Sequence, residues 1–197
     1  MWIHHVTKIE NLEKILKEGL LSRNELLKNK IKFEDIANKN IIQERNGLNN
    51  YIPFHINILQ KKWGIPYNYR ILKNYGAENI IFLTCNIDEL TDYNVECFLY
   101  HPISNYKRKF LVKDFKKMLE IEENKLISNG YLDYNDNKIQ QFLMSEILIE
   151  SKVVLNEKWR IYVYSDIQRK WVLKILQRYN LDIVVRVDEE RYVYRGF

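Results

Sequence analysis

Residues Gln140–Glu150 read QQFLMSEILIE, an apolar run of Phe142, Leu143, Met144, Ile147, Leu148 and Ile149 around one internal carboxylate, Glu146. Followed by Ser151-Lys152-Val153-Val154-Leu155, the run reads as a helix end passing into a buried strand. Carboxylates are rarely buried unless they are paired or working. Two readings of Glu146 stand side by side. It lies at a strand mouth, wetted or paired with one of the 31 Lys/Arg of the chain. Alternatively, it is a group whose environment is arranged for chemistry.

Working outward, residues 2–6 (WIHHV) read as a first strand, and Thr7-x-x-Glu10 as a capping box for a helix carrying Ile9, Leu12, Ile15 and Leu16 and stopped by Gly19. Asn24-Glu25-Leu26-Leu27 begins a short helix, and Asn46-Gly47 marks a turn just after Arg45. Residues 51–57 (YIPFHIN) form a strand that Pro53 confines to an edge or a bulge. Residues 58–77 read as a long basic loop with room for some helix, Asn79–Asn86 as a strand and Glu96–Tyr100 as another. Asp114–Ser128 is an amphipathic helix closed by Asn129-Gly130, and turn formers fill 128–138. Trp159–Tyr164 is a strand, and Asp166 caps a helix with a stripe of Ile167, Trp171, Ile175 and Tyr179. Leu181–Val187 and Tyr192–Tyr194 close the chain as strands. Mixed strands and helices without a repeat or linker indicate a single α+β domain over 1–197.

The composition narrows the class. With 46% hydrophobic and 29% charged residues, the 197-residue chain suits one domain with a core and is not disordered. No run approaches the length of a membrane span, and Met1-Trp2-Ile3-His4-His5 lacks a signal-peptide core, so a cytoplasmic protein is expected. Cys85 and Cys97 are too few for a disulfide framework and fit buried thiols. The net charge of +5 permits a polyanionic partner without demanding one.

The placement of charge is more informative. Residues 46–77 carry Lys61, Lys62, Arg70 and Lys73 among Tyr51, Phe54, Trp63, Tyr67, Tyr69 and Tyr75, with no acid. Residues 98–113 repeat the pattern, with Lys107, Arg108, Lys109 and Lys113 beside Phe98, Tyr100, Tyr106 and Phe110. Cations interleaved with aromatics suit single-stranded nucleic acid, phosphates meeting the cations while bases stack on the rings. Solvated loops with ordinary core aromatics explain the same composition. No CxxC pair or HExxH helix is present, so no metal is expected, although Cys97 and His101 lie four apart. A Gly-rich phosphate loop and a GxSxG elbow are also missing, and His4 and His5 read equally well as core or edge histidines.

The segment HHVTKIENLEKILKEGLLS, read with the rest, resembles the opening of the DarT family of DNA-targeting ADP-ribosyltransferase toxins. The family's His-x-Thr, Asn-Leu, Ile-Leu and Gly-Leu-Leu-Ser correspond to His5, Thr7, Asn11-Leu12, Ile15-Leu16 and Gly19-Leu20-Leu21-Ser22. An arginine before a Tyr-Val-Pro-Phe strand is matched by Arg45 and Tyr51-Ile52-Pro53-Phe54. A His-Pro-aliphatic-Ser segment resembles His101-Pro102-Ile103-Ser104, and the stretch bearing the family's catalytic glutamate resembles Lys138 through Met144-Ser145-Glu146. The blocks keep family order over nearly the whole chain. Lys8 stands where many members carry a second histidine. Met144 stands where protein-modifying relatives carry Gln or Glu, which argues against an arginine side chain as target.

The resemblance implies an ADP-ribosyltransferase-like split β-sandwich with peripheral helices and NAD+ in a cleft between two small sheets. It implies that Glu146 is catalytic and that Arg45 serves the NAD phosphates or the reacting centre. His5, Thr7, Asn11 and Tyr51 would contact NAD+, and a base of single-stranded DNA, thymidine or guanosine, would be the acceptor. A toxin or phage-defence role and a macrodomain antitoxin follow from the same resemblance. The competitors are an RNA-directed transferase of the same fold and a silent basic nucleic-acid-binding module.

Overall fold

The computed structural model describes residues 1–36, 43–45, 47–56, 66–128 and 135–192, with backbone alone for 66–69. Strand β1 (Trp2–Lys8) pairs along its whole length with β4 (Ile80–Asn86), from Trp2↔Asn86 to Lys8↔Ile80. A short 3-10 turn, Ile9–Asn11, then leads into α1 (Leu12–Glu18). The expected capping box at Thr7 does not form. Pairing with β4 runs on through Lys8, so Thr7 remains extended inside the strand, and its hydroxyl accepts from Asn11 Nδ2 at 3.2 Å.

Gly19 ends α1 as expected, with φ +87 and its N–H donating to Ile15 O at 2.8 Å. A Cβ there would lie 2.6 Å from Lys152 Cε and 3.1 Å from the Val153 carbonyl. Glycine therefore serves both the left-handed turn and the close approach of β2 (Leu20–Leu21) to β8 (Lys152–Val153), which pair as a small second sheet. Ser22 caps α2 (Arg23–Lys28), accepting from Glu25 N at 3.4 Å.

Strand β3 (Tyr51–Ile56) is interior, a correction to the edge position expected from Pro53. It lies between β1 and β7 (Glu146–Glu150), with five residue pairs to β7 and two to β1, Ile3↔Ile56 and His4↔His55. Proline is tolerated because β1 pairs only with the last two residues of β3, leaving position 53 without a ladder partner on that side. Residues 66–75, within the long basic loop expected to have room for some helix, form helix α3 (Pro66–Tyr75).

Strand β5 (Val95–Leu99) pairs with β6 (Arg108–Phe110) and β7, and α4 (Val112–Ser128) buries Phe115 and Leu119 against the core. Helix α5 (Asn137–Leu143), capped by Asp136, ends before the apolar run is over. The strand starts at Glu146 itself rather than after Ser151, because Ile147, Leu148 and Ile149 are each 0% exposed between β3 and β5. Each such burial contributes about 1.5–3 kcal/mol, more than a further turn of helix offers. Positive φ at Ser151 then turns the chain into β8.

Strand β9 (Arg160–Val163) leads to α6 (Asp166–Arg178) and to β10 (Val184–Val187), parallel to β9. The cap is Ser165, not Asp166, and the predicted stripe is rotated: Ile167 is 81% and Trp171 42% exposed, while Gln168, Val172, Ile175 and Leu176 face inward. Tyr192, expected to open a last strand, ends a 3-10 turn, Glu189–Tyr192, and Val193 and Tyr194 lie outside the described residues.

The eight-stranded sheet runs β10-β9-β4-β1-β3-β7-β5-β6. Its two four-stranded halves meet at the two β1–β3 pairs, and side chains of both (Ile3, Leu83 and Ile161; Phe54, Ile147 and Cys97) share one core. This is the split α+β sandwich expected. Cys85 and Cys97 are buried in it with free thiols pushed up to about 12 by burial.

Gln168 fixes the rotation of α6. Its amide donates to the carbonyls of Glu78 at 2.6 Å and Ala77 at 3.2 Å, and its oxygen accepts from Tyr164 N at 2.6 Å. Gln168→Ala strands these part-buried groups and is expected to destabilise the protein by about 1–3 kcal/mol in urea denaturation. A loss below about 0.5 kcal/mol would mean that water replaces the amide.

Candidate active site

Glu146 opens β7 because Ser145 closes the end of α5. The Ser145 hydroxyl donates to Phe142 O at 2.6 Å and accepts from Tyr100 N at 2.8 Å, so the peptide before Glu146 is stitched to both neighbours. Tyr100 itself is held at φ +66, a left-handed backbone that costs an aromatic residue roughly 1–3 kcal/mol. The Glu146 carboxylate, 1% exposed, faces His55 across the β3–β7 ladder.

Arg45 Nη1 donates to Glu146 Oε1 at 3.0 Å, and Nη2 stands 2.9 Å from Oε2 in an ion contact without hydrogen-bond alignment. Oε2 accepts no hydrogen bond among the described residues. His101 Nε2 stands 3.4 Å from Oε1, and its Nδ1 accepts from Ile103 N at 3.3 Å. That backbone donor leaves the imidazole proton on Nε2, directed at the carboxylate. Burial alone would push the Glu146 carboxyl up; Arg45, with His55 and His101 beside it, holds it below the usual carboxylate range. The group is an ionised, buried carboxylate with one oxygen hydrogen-bonded to Arg45 and the other in ion contact with it.

A cleft opens in front of this group, lined from β1, α2, β3 and α3. It lies where β1 and β3 part. His5 reaches across the gap, its Nδ1 2.8 Å from Pro53 O. Tyr51, His55, Arg70 and Met144 also line the cleft, with Arg23 and its ion-pair partner Asp35 at 2.5 Å. A second cavity of about 930 Å³ shares His101 and Met144 with it and is lined by Asn105, Tyr106, Asn137 and Gln141.

Of the residues expected to contact NAD+, the fold brings His5, Arg45 and Tyr51 to this cleft. It does not bring Thr7 and Asn11, which are fully buried, make a mutual hydrogen bond and hold segment 33–36 through Asn11 and the Glu34 backbone. Tyr51 donates to Glu96 Oε1 at 3.1 Å, its ring remaining at the cleft wall. Arg70, expected on the nucleic-acid surface, lines the cleft instead.

Lys61 and Lys62 lie outside the described residues. Lys73 and Lys107 are exposed. Arg108 and Lys109 are engaged by acids distant in sequence, Glu122 at 2.6 Å and Glu96 at 2.7 Å. His55 was missed as a site residue because a histidine between Phe54 and Ile56 reads as strand filler. His101 was quoted in a motif but given no role. Among the described residues no cluster of three His, Cys, Asp or Glu is arranged to hold a metal, and no helix is long and apolar enough to cross a membrane.

His55 is neutral in the fold, pushed down to about 4 by burial although Glu146 pulls the other way. The unfolded chain binds a proton there from about pH 6.5 downward, so stability is lost as the pH falls from about 6.5 to 4. His55 contributes on the order of 3 kcal/mol to that loss, and the depressed Glu146 adds in the same direction. Proton uptake on unfolding at pH 5, from the pH dependence of urea denaturation, is expected to fall by about one in His55→Gln. Unchanged uptake would assign the acid sensitivity to other groups.

The sequence model of one family, described as DarT, ssDNA thymidine ADP-ribosyltransferase, matches residues 4–194. No curated protein is significantly similar. Among solved structures, DarT of Thermus sp. 2.9 in complex with ADP-ribosylated ssDNA superposes with a TM-score of 0.77 at 22% identity, covering 98% of this chain and 96% of that one. The same Thermus protein in complex with NAD+ gives 0.73 at 21% identity, over 98% and 97% of the two chains. Thermosipho africanus DarTG in complex with ADP-ribose gives 0.73 at 15% identity, over 97% of this chain and 50% of that one. The chain belongs to the DarT family and is an NAD+-dependent ADP-ribosyltransferase of single-stranded DNA.

Proposed function

We propose that Glu146 is the catalytic carboxylate of this transferase and that the β1–β3 cleft takes NAD+ with its nicotinamide ribose against Glu146. The observation that carries the reading is the carboxylate itself: ionised, 1% exposed, held by Arg45 at both oxygens with Oε2 accepting no hydrogen bond among the described residues, and set in the wall of the cleft. Breaking the nicotinamide–ribose bond develops oxocarbenium character on the ribose, as in glycoside cleavage. A fixed negative charge beside that carbon stabilises the cation, and Oε2 keeps hydrogen-bonding capacity for a ribose hydroxyl. After nicotinamide leaves, the same carboxylate takes the proton of the attacking base nitrogen.

Arg45 keeps Glu146 ionised and oriented. Arg70, which makes no ion pair with a described residue, and Arg45, paired with Glu146, line the cleft and suit the NAD+ pyrophosphate. His5 and Tyr51 flank the nicotinamide end. The second cavity, joined through His101 and Met144, is the seat for an unpaired acceptor base, with thymine the base that the family description favours. A base held there must be single-stranded or extruded.

The reading extends to a toxin or phage-defence enzyme in the cytoplasm, reversed by a macrodomain antitoxin. Support comes from the resemblance of the sequence blocks and from the Thermosipho africanus DarTG chain, half of which this chain spans.

Glu146→Gln is expected to keep the fold and lower transfer by about 10²–10³-fold or more, read by mass spectrometry of oligonucleotides incubated with NAD+. Normal turnover by the folded variant would overturn the assignment. Arg45→Ala leaves a buried carboxylate unpaired, costs about 3–5 kcal/mol of stability and moves the acid limb of the kcat/KM profile to higher pH. Arg45→Lys recovers part of both, since an ammonium lacks the planar fork. An unmoved acid limb in Arg45→Ala would detach Arg45 from the carboxylate's ionisation.

Strand binding has its own signature. Neutralising Lys61, Lys62 and Lys107 together should flatten the salt dependence of single-strand binding by about two, at about −0.7 per phosphate. The KM for NAD+ should hold, and duplex DNA should label far less well. Wild-type salt dependence in the triple variant would remove these lysines from the strand's path.

A further inference from the structure

Glu122 has no part in the chemistry above, yet it is a buried carboxylate, 7% exposed, on α4. Three groups converge on it. The Tyr100 hydroxyl donates to Oε1 at 2.7 Å, Arg108 Nη2 donates to Oε2 at 2.6 Å, and Lys125 Nζ lies 3.9 Å from Oε2. Burial pushes the Glu122 carboxyl up, but the bonds from Tyr100 and Arg108 bring it below its ordinary range. A surface glutamate needs no such company. Burying this one is tolerated only because both oxygens are taken.

The other end of this network is at the active site. Tyr100 is 2% exposed and left-handed, and its ring packs on Phe142 with centroids 5.4 Å apart. Its N–H donates to the hydroxyl of Ser145, the residue before Glu146. The residue after it, His101, donates its N–H to Gln141 O at 2.9 Å and places its ring 3.4 Å from Glu146 Oε1. The carboxylate and its imidazole neighbour therefore leave the backbone from the two ends of one hydrogen bond, Tyr100 to Ser145. Arg108 also lies over the Tyr100 and Phe110 rings, 6.0 and 5.9 Å from their centroids, and its 40% exposed side chain spans from the surface to Glu122.

We infer that Arg108, Glu122 and Tyr100 are positioning residues for the transfer reaction, a relay from the surface to the core that holds the strained Tyr100 backbone and, through Ser145, sets Glu146 and His101 against the ribose. The inference rests on the reading of Glu146 as the catalytic carboxylate. It takes Arg108 out of the DNA-contacting surface: on β6 and its approach, Lys107 faces solvent and Arg108 faces Glu122. A displacement on the order of 1 Å at the reacting groups lowers rates up to about 10²-fold, so a relay of this kind acts on kcat.

The test is steady-state kinetics with NAD+ and a single-stranded oligonucleotide, wild type alongside. Tyr100→Phe keeps the ring and removes only the hydroxyl. It is expected to lower kcat about ten- to a hundredfold, with KM for both substrates little changed and the melting temperature lowered by the loss of one buried hydrogen bond. Arg108→Ala gives the same kcat loss with the salt slope of single-strand binding unaltered, and Arg108→Lys recovers part of the kcat. Lys107→Ala instead flattens the slope by about 0.7. If Tyr100→Phe does not fold, Glu122→Gln serves, since it keeps an acceptor for Tyr100 while discharging the partner of Arg108. A kcat near wild type in folded Tyr100→Phe and Glu122→Gln overturns the relay, as does an Arg108→Ala that flattens the salt slope while kcat holds. Wild type that labels no single strand fails the reading of the site itself, and variants that match an active wild type fail only the relay.

Discussion

The ion pair between Arg45 and Glu146 joins positions 101 residues apart and lies almost wholly out of water, at 14% and 1% side-chain exposure. Removing two charges from solvent costs several kcal/mol per ion, and attraction offsets that cost only in good geometry. A hydrophobic pair of equal volume would serve stability as well or better. The surroundings are accordingly rigid: β7 is held between β3 and β5, and the peptide before Glu146 is bonded on both sides through Ser145. The apolar residues that make β7 a buried strand take its first residue out of water, and Arg45 with the two histidines holds that carboxyl below its usual range.

The cleft has an equally simple origin. β1 pairs with β4 over seven residues and with β3 over two. Where β1 and β3 stop pairing, two halves of a sheet diverge and backbone groups are left to find other partners. Pro53, with no N–H to lose, occupies one such position, and His5 Nδ1 meets its carbonyl. A strand rule that places proline at an edge is obeyed locally, since this side of β3 behaves as an edge within an interior strand. The gap so formed lies beside Glu146, which is why the pocket and the carboxylate coincide.

Charge shows how far linear composition carries. Residues 98–113 contain no acid, yet Arg108 and Lys109 are neutralised by Glu122 from α4 and Glu96 from β5. Arg70 belongs to the acid-free stretch 46–77 but lines the β1–β3 cleft. A run of cations thus sorts into inward, paired and solvent-facing groups only once strands and helices are packed, because pairing depends on distances through space. His55 and His101 illustrate the same point for the site: each meets Glu146 from a different strand or turn, and no spacing along the chain records it.

By itself the sequence determined the elements whose signals are local. Periodicity and turn chemistry were enough for β1, α1 with its Gly19 stop, β4 and α4, and the motif blocks singled out Glu146, Arg45, His5 and Tyr51. Tertiary structure decided whatever depends on a neighbour. Thr7 stayed in a strand because β4 pairs with it, so its capping box never formed, and Thr7 and Asn11 went to the interior instead of the cleft. Helix α6 turned Trp171 outward because Gln168 is fastened to the carbonyls of Ala77 and Glu78. The apolar run at Glu146 became strand because two flanking strands bury both of its faces. Local propensities differ by about 1 kcal/mol per residue or less, whereas a buried contact or an unpaired buried group is worth several times that, so packing prevails wherever the two disagree.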